Sequence, residues 1–303
     1  MNVEVTIFTP TYNRRNEIMA LYNSLKQQTC KKFEWLVVDD GSNDNTSGLF
    51  EELVEKTQEF SIRYYYKENG GKHRAINHGL DRANGRLFFI VDSDDYLTND
   101  AIEIILTEEL KIRNDIMKLA GLGFNKGENK DEVVGASFTG DSIITSAIER
   151  QRYNIKGDKA EVYYTEILKQ YKFPEFEGEN FLTESVVWYK IADDGYKIKW
   201  INRIIYICKY LEDGLTNNSS KLALNNFVGY TYSIRQALNY NLTLIEKMIL
   251  IGVYTRIARI KKHSFLEVSK NINQNILLCI MFGWLSVVSR KIKLIVTKKM
   301  RIL

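Results

Sequence analysis

This 303-residue sequence predicts an α/β fold, with parallel strands in a sheet covered by helices and a helical extension at the C-terminal end. Three observations predict it. Short β-branched or aromatic runs alternate with amphipathic stretches as far as about Asp95. Several of those runs end in polar or acidic clusters, and ligands of α/β sheets sit beyond the carboxyl ends of the strands. From Lys221 onward the strand pattern stops and the charge balance reverses.

Taken in order, Val3–Phe8, Glu34–Val38, Ile62–Tyr66 and Leu87–Val91 read as strands bounded by turn residues. Between them, Arg15–Gln28, Thr46–Glu59 and Lys72–Ala83 have helical periodicity. The second of these helices opens behind Ser42-Asn43-Asp44-Asn45-Thr46, a cluster of N-cap formers. Such alternation implies parallel strands joined by right-handed crossovers. Ile201–Ile207 is the last strand-like run. Asn225–Asn239, Leu242–Arg259 and Phe265–Val288 then pattern as helices. The domain division expected is 1–220, with halves 1–98 and 99–220, followed by a tail over 221–303.

Composition narrows the class. Hydrophobic residues at 45% and charged residues at 26% exclude wholesale disorder. Cys30, Cys208 and Cys279 lie far apart with no CxxC pair, which argues against a disulfide scaffold or structural zinc and for a reducing cytosol. No basic-then-apolar leader precedes the first strand, so no secretory signal is expected. The net charge of +4 hides an asymmetry: residues 221–303 carry 14 Lys/Arg against 2 Asp/Glu. An acidic body with a basic tail suits an anionic surface or an acidic partner. Nucleic acid would also satisfy that charge, but no nucleic-acid module is recognisable, and no nucleic-acid partner is expected.

The strand ends hold the chemistry. They read Thr9-Pro10-Thr11-Tyr12-Asn13-Arg14, Asp39-Asp40-Gly41-Ser42 and Asp92-Ser93-Asp94-Asp95. Either acidic run alone is compatible with a turn entering a helix. Two of them on one sheet edge repel unless cations or donors compensate. Hard oxygen ligands spaced i, i+2 suit Mg²⁺ or Mn²⁺, which complete their shell with water and substrate phosphates. Neither Gly-x-Gly-x-x-Gly nor a P-loop is present.

Together with Val37–Asp44 and Asn69-Gly70-Gly71-Lys72-His73-Arg74-Ala75-Ile76-Asn77-His78-Gly79, these stretches resemble the family 2 inverting glycosyltransferases that build bacterial surface polysaccharides. The resemblance is strong from Val3 to about Thr98, weaker through Thr216 and absent beyond. It implies the GT-A (nucleotide-diphospho-sugar transferase) fold, a Rossmann-like mixed sheet covered by helices, with a C-terminal helical extension. By the same resemblance, Thr9, Pro10, Thr11, Tyr12, Arg14 and Asp39 would hold the base and ribose of a nucleotide-sugar, with Asp39 accepting the uracil N–H. Lys72 would lie near the diphosphate, where a cation and free N–H groups are useful. Asp92-Ser93-Asp94 matches the D-x-D motif, with Asp92 and Ser93 on the nucleotide-sugar and Asp92 and Asp94 on Mn²⁺ or Mg²⁺. His73 and Arg74 are typical of a subfamily, and their roles stay open.

An inverting transfer also needs a base for the acceptor hydroxyl. The resemblance puts Glu184 there, at the start of a second-half helix, with Thr183 where the family often has Glu; Glu179 is the rival. Either residue would equally suit a helix N-terminus as a dipole-favoured carboxylate. Lys209–Thr216 resembles a loop over the donor or acceptor, or is a polar hairpin turn. Gln-x-x-Arg-Trp, the mark of processive members, is absent, so one sugar per encounter is expected.

The tail adds a partner. Ile276–Val288 is apolar apart from Gly283 and Ser286, and at 13 residues it is short of the ~20 that span a bilayer. Trp284 and the cations from Arg290 to Arg301 make residues 265–303 a candidate for an anionic membrane surface. The partners implied are a nucleotide-sugar donor and a glycan or lipid-linked glycan acceptor, with a cytoplasmic location peripheral to the inner face of the membrane. Two alternatives remain. One is a sugar nucleotidyltransferase, disfavoured because Thr9–Arg14 lacks glycine. The other is an inactive glycosyltransferase-like subunit, disfavoured because Asp39, Asp92, Asp94 and Glu184 are intact.

Overall fold

The computed structural model describes residues 3–113, 117–208 and 219–287. The chain divides into two compact units, Met1–Glu175 with Val187–Leu211 and Phe176–Val186 with Glu212–Leu303.

In the first unit, β1 (Val5–Thr11) is buried along its whole length. The helix α1 (Ile18–Lys26) buries Ile18, Leu21, Tyr22 and Leu25, one stripe at helical spacing. The strand β2 (Phe33–Asp39) is again buried throughout, as expected of a strand with helices on both faces. Next come α2 (Thr46–Lys56), β3 (Ser61–Tyr66), α3 (Lys72–Leu80) and β4 (Leu87–Ile90). These four strands are parallel in the order β3-β2-β1-β4, as the alternation predicts.

The second half of this unit holds β5 (Tyr96–Leu97), α4 (Ala101–Leu110), β6 (Leu119–Gly127), β7 (Ser142–Thr145), β8 (Lys159–Tyr164), α5 (Thr165–Leu168), α6 (Ser185–Asp193) from Val187 onward, and β9 (Lys197–Ile207). Antiparallel β8 lies between β4 and β6, whereas β6 and β9 run parallel. The sheet is therefore mixed, in the order β3-β2-β1-β4-β8-β6-β9-β5, with β7 also on β9.

β1 runs on to Thr11, three residues past the expected end. Pro10 is tolerated because of where its missing N–H falls. Val91 N–H donates to Phe8 O on the β4 side, and β4 stops opposite Phe8. Residue 10 faces the same side two residues later, where no ladder remains to be broken. Thr9, Pro10 and Thr11 are thus strand residues, and only Tyr12–Arg14 form the loop.

Aromatic packing fills the core around Trp35, whose ring lies 6.1 Å from Tyr22 and 5.2 Å from Phe50. Glu34, 1% exposed, is satisfied by Thr6 Oγ1 at 2.7 Å, Arg63 Nη1 at 3.0 Å and both the backbone and side-chain nitrogens of Asn84. A buried carboxylate needs such a set of donors.

Lys159, 4% exposed, is less well served, with only Val134 O at 3.3 Å within the described residues. Burial, together with the charge of Arg150, lowers its pKa from 10.5 to about 8. The unfolded chain therefore holds more protons between those values, and stability rises with pH across that window. Below pH 8 the native state carries a buried charge. Lys159→Met is expected to stabilise the fold there by about 3 kcal/mol, a gain that shrinks as pH climbs toward 10.5. Thermal melts of both proteins across pH check it.

The second unit is helical: α7 (Ser219–Asn225), α8 (Phe227–Asn239), α9 (Leu244–Ile260), α10 (Phe265–Ile272) and a helix over residues 276–287. Its core gathers Phe227, Ile234, Tyr254, Ile257, Val268 and Phe282. Capping boxes start α9 (Thr243 with Glu246) and α10 (Ser264 with Glu267). The single helix expected over Phe265–Val288 is broken at Asn273, whose φ of 52° ends α10 in the left-handed region that Asn tolerates. Among the described residues no helix is long and apolar enough to cross a membrane.

Candidate functional site

The carboxyl ends of β1, β2 and β4 stand side by side, with Thr11 paired to Asp39 and Phe8 to Ile90. The loops that follow are laced together. Asn13, at φ 51°, donates its N–H to Ser42 Oγ at 2.8 Å and accepts from Asn43 N–H at 2.9 Å. Arg15 N–H donates to Asp44 Oδ2 at 3.0 Å. Thr9 Oγ1 accepts from Trp35 Nε1 at 3.0 Å. Thr11 is 3% exposed, and its Oγ1 has no hydrogen-bond partner among the described residues. Tyr12 is half exposed, and Arg14 lies 3.6 Å from Glu17.

Asp39, the last residue of β2, accepts from Ser42 N–H at 2.7 Å and from Tyr64 OH at 2.6 Å. Burial and the adjoining carboxylate push the Tyr64 phenol well above its usual range. Its neighbour Asp40 is a structural clamp that the sequence reading missed. It accepts from Lys67 Nζ at 2.6 Å, Gly70 N–H at 2.9 Å and Gly71 N–H at 2.7 Å. Gly41, at φ 90°, lets Asn69 approach; a Cβ there would fall 2.8 Å from Asn69 N. The clamp fixes the N-terminus of α3 and thereby Lys72, its first residue. The N–H groups of Gly70 and Gly71 are thereby bonded to Asp40.

Lys72 Nζ reaches Asp92 Oδ1 at 2.5 Å, joining two of the residues expected at the donor. The acidic turn hangs from Tyr206 on β9. Asp92 N–H donates to Tyr206 OH at 3.0 Å, and that hydroxyl donates to Asp95 Oδ2 at 2.7 Å. Lys126 on β6 lies 4.2 Å over the same ring and 3.9 Å from Asp158. Burial alone would raise the Asp92 pKa, but Lys72 and then Lys126 outweigh it and hold the carboxyl below its usual range. Burial and the charge of Asp92 push Asp94 up, and the same two causes bring Asp95 to about 6. Ser93 is buried between them.

Negative charge in this turn thus exceeds what the lysines neutralise, and the hard carboxylate oxygens of Asp92 and Asp94 fit a divalent cation. Among the described residues no group of three or more His, Cys, Asp or Glu forms a complete metal cage. Two carboxylates fit an ion that draws its remaining ligands from water and a diphosphate. No sequence spacing pointed to Lys126 or Tyr206, which are brought here by the β6–β9 register.

His73 is 2% exposed, and its Nδ1 has no partner among the described residues; burial and Arg74 lower its pKa. Arg74 Nε lies 3.4 Å from Glu175. In the second unit, Glu184 is partly buried in the turn directly before α6. Its rival Glu179 accepts from the backbone N–H groups of Val228 and Gly229, both at 2.7 Å, at the N-terminus of α8. Lys209–Thr216 and the cations from Arg290 onward lie outside the described residues.

Comparison with known proteins adds a family. The model described as Glycosyl transferase family 2 matches residues 6–172. "Glycosyltransferase GlyA" of Streptococcus pneumoniae is 27% identical over 235 residues, covering 77% of this chain and 31% of that protein. The chain therefore spans less than a third of that relative's own length. The "GalNAc(5)-diNAcBac-PP-undecaprenol beta-1,3-glucosyltransferase" of Campylobacter jejuni is 25% identical over 232 residues, covering 75% of this chain and 72% of its own. Among solved structures, S. aureus TarS 1-349 in complex with UDP-GlcNAc aligns with a TM-score of 0.61 at 20% identity, covering 84% of this chain and 72% of that one. That likeness is one of fold, the GT-A fold that the motifs imply.

Proposed function

The chain belongs to glycosyl transferase family 2, and on that premise we propose that it is a metal-dependent, inverting, non-processive glycosyltransferase. It moves a sugar from a UDP-sugar to a glycan acceptor in bacterial surface-polysaccharide assembly. The observation that carries the reading is the pairing of Lys72 with Asp92 at 2.5 Å, beside the Asp40-clamped start of α3 and the end of β2.

In this reading the uracil and ribose lie against Thr9–Tyr12, Arg14 and Asp39. Asp39 accepts the uracil N–H with lone pairs left over from Ser42 and Tyr64, and Thr11 Oγ1 gains a partner. Asp92 and Ser93 face the ribose, and the Lys72 ammonium faces the diphosphate. Asp92 and Asp94 would hold Mn²⁺ or Mg²⁺, which when bound neutralises charge on the leaving diphosphate. Glu184 takes the proton of the acceptor hydroxyl. The acceptor oxygen then bonds to the anomeric carbon as the bond to the diphosphate oxygen breaks on the opposite face, inverting the centre.

The UDP-GlcNAc complex of TarS supports the choice of nucleotide. The undecaprenol-linked substrate in the name of the Campylobacter relative supports a lipid-linked acceptor. Such an acceptor is met at the cytoplasmic face of a membrane, with residues 265–303 on the anionic surface.

Calorimetric titration of the purified chain with UDP, in Mn²⁺ and again in EDTA, tests the donor site. The expected result is saturable binding in Mn²⁺ that EDTA removes. Heat with GDP, dTDP or CMP but none with UDP would reassign the nucleotide. Silence with all of them would favour the inactive-subunit reading.

A further inference from the structure

The helix over residues 276–287 packs by one narrow strip, Cys279, Phe282 and Gly283, and every exposed position from Leu277 to Val287 is apolar. Leu277 is 69% and Trp284 73% exposed. A helix that is apolar all round belongs in a protein core or in lipid, and here most of it stands in neither.

A second helix shares this surface. A Cβ on Gly252 of α9 would fall 2.6 Å from Phe282 O and 3.2 Å from Ser286 Cβ, and one on Gly283 would fall 2.6 Å from Thr255 Cγ2. Thr255 also lies beside Cys279. Moving up α9 from 252 to 255 therefore moves down the other helix, so the two cross antiparallel at close range. The N-terminal turns of α9 accordingly lie at the Trp284 end, and there Leu244 is 74%, Ile245 68% and Ile249 58% exposed. Ile245 precedes Gly252 by two turns on the same side of α9.

We infer that the N-terminal turns of α9 and the helix over 276–287 form one face that seats on an anionic phospholipid bilayer. This rests on the membrane contact proposed above for residues 265–303 and extends it to α9. Charge selects the occupant. Residues 221–303 hold 14 Lys/Arg and 2 Asp/Glu, and both acids, Glu246 and Glu267, are bound in capping boxes. Two copies of so basic a region repel each other, whereas anionic headgroups attract it. The apolar run Ile276–Val288 has 13 residues, short of the ~20 that span a bilayer, which favours a place in the interface, where a Trp is favoured.

Trp284 provides a direct reporter, because Trp35, Trp188 and Trp200 are at most 9% exposed. The full chain is mixed with phosphatidylglycerol–phosphatidylcholine vesicles and with phosphatidylcholine vesicles, then floated on a density gradient while emission is recorded. The expected result is flotation and a blue shift with the anionic vesicles only. Leu244→Glu/Ile245→Glu, at mostly exposed positions, should lower that partition roughly tenfold or more with an unchanged thermal melt. Equal flotation of variant and wild type overturns the role of α9 while leaving the contact by 265–303 standing. No flotation of the wild type overturns both. A lipid-free dimer that the variant dissolves assigns the face to a second copy and overturns the proposal.

Discussion

Asp94→Ala is expected to abolish Mn²⁺-dependent UDP binding and to lower kcat/KM roughly 10³-fold, on the order of 4 kcal/mol of transition-state stabilisation. The turn has three carboxylates within four residues, and Lys72 is committed to Asp92, so in the proposed reading Asp94 completes the cation's protein ligands. The same substitution removes a half-buried carboxylate pushed up by burial and by Asp92. It should therefore leave the melting temperature equal or higher, the pattern of a residue kept for function at the expense of stability. Titration of wild type and variant with UDP in Mn²⁺, beside thermal melts, checks both halves. Retained metal-dependent binding would move the ion off this turn.

Glu184→Gln is expected to spare UDP binding and to lower kcat by roughly 10²–10⁴, the range for loss of a general base. The change is isosteric, so KM for the donor should stay within a few-fold. Glu179→Gln is the informative partner experiment. Glu179 already holds two backbone N–H groups of α8, so its loss should appear as a lower melting temperature. Turnover that survives Glu184→Gln but dies in a stable Glu179→Gln protein would transfer the role of base.

Local signals were enough for much of this. The first four strands could be read from short β-branched or aromatic runs and the three helices from periodicity, because each pattern is contiguous in the chain. The strand-end motifs could be read for the same reason: they are contiguous. What stayed hidden depends on contacts between distant residues. Asp40 lies inside a recognised motif, yet its role is set by Gly70 and Gly71, some thirty residues on. Tyr206 and Lys126 reach the acidic turn only through the pairing of β9 with β6, and a lone Tyr or Lys in a strand gives no hint of that. That the sheet is mixed was carried by the resemblance alone, and the reversed strand β8 was not read at all, since no local pattern fixes the direction of a strand. In the tail, Asn273 sits between two apolar stretches that share one periodicity, and only its backbone angle shows that the helix ends there.

The Asp40 clamp has a kinetic and entropic consequence. Two chain segments that would otherwise have to be ordered around an incoming ligand are already cross-tied: the end of β2 and the Asn69–Gly71 turn that leads into α3. Ordering cost is then met during folding rather than during capture, so little of the ligand's interaction energy is lost to fixing these loops. Rapid-mixing traces of nucleotide binding should accordingly show one phase whose rate grows linearly with ligand concentration. A slow, concentration-independent step would mean that these loops are still being arranged when the ligand arrives.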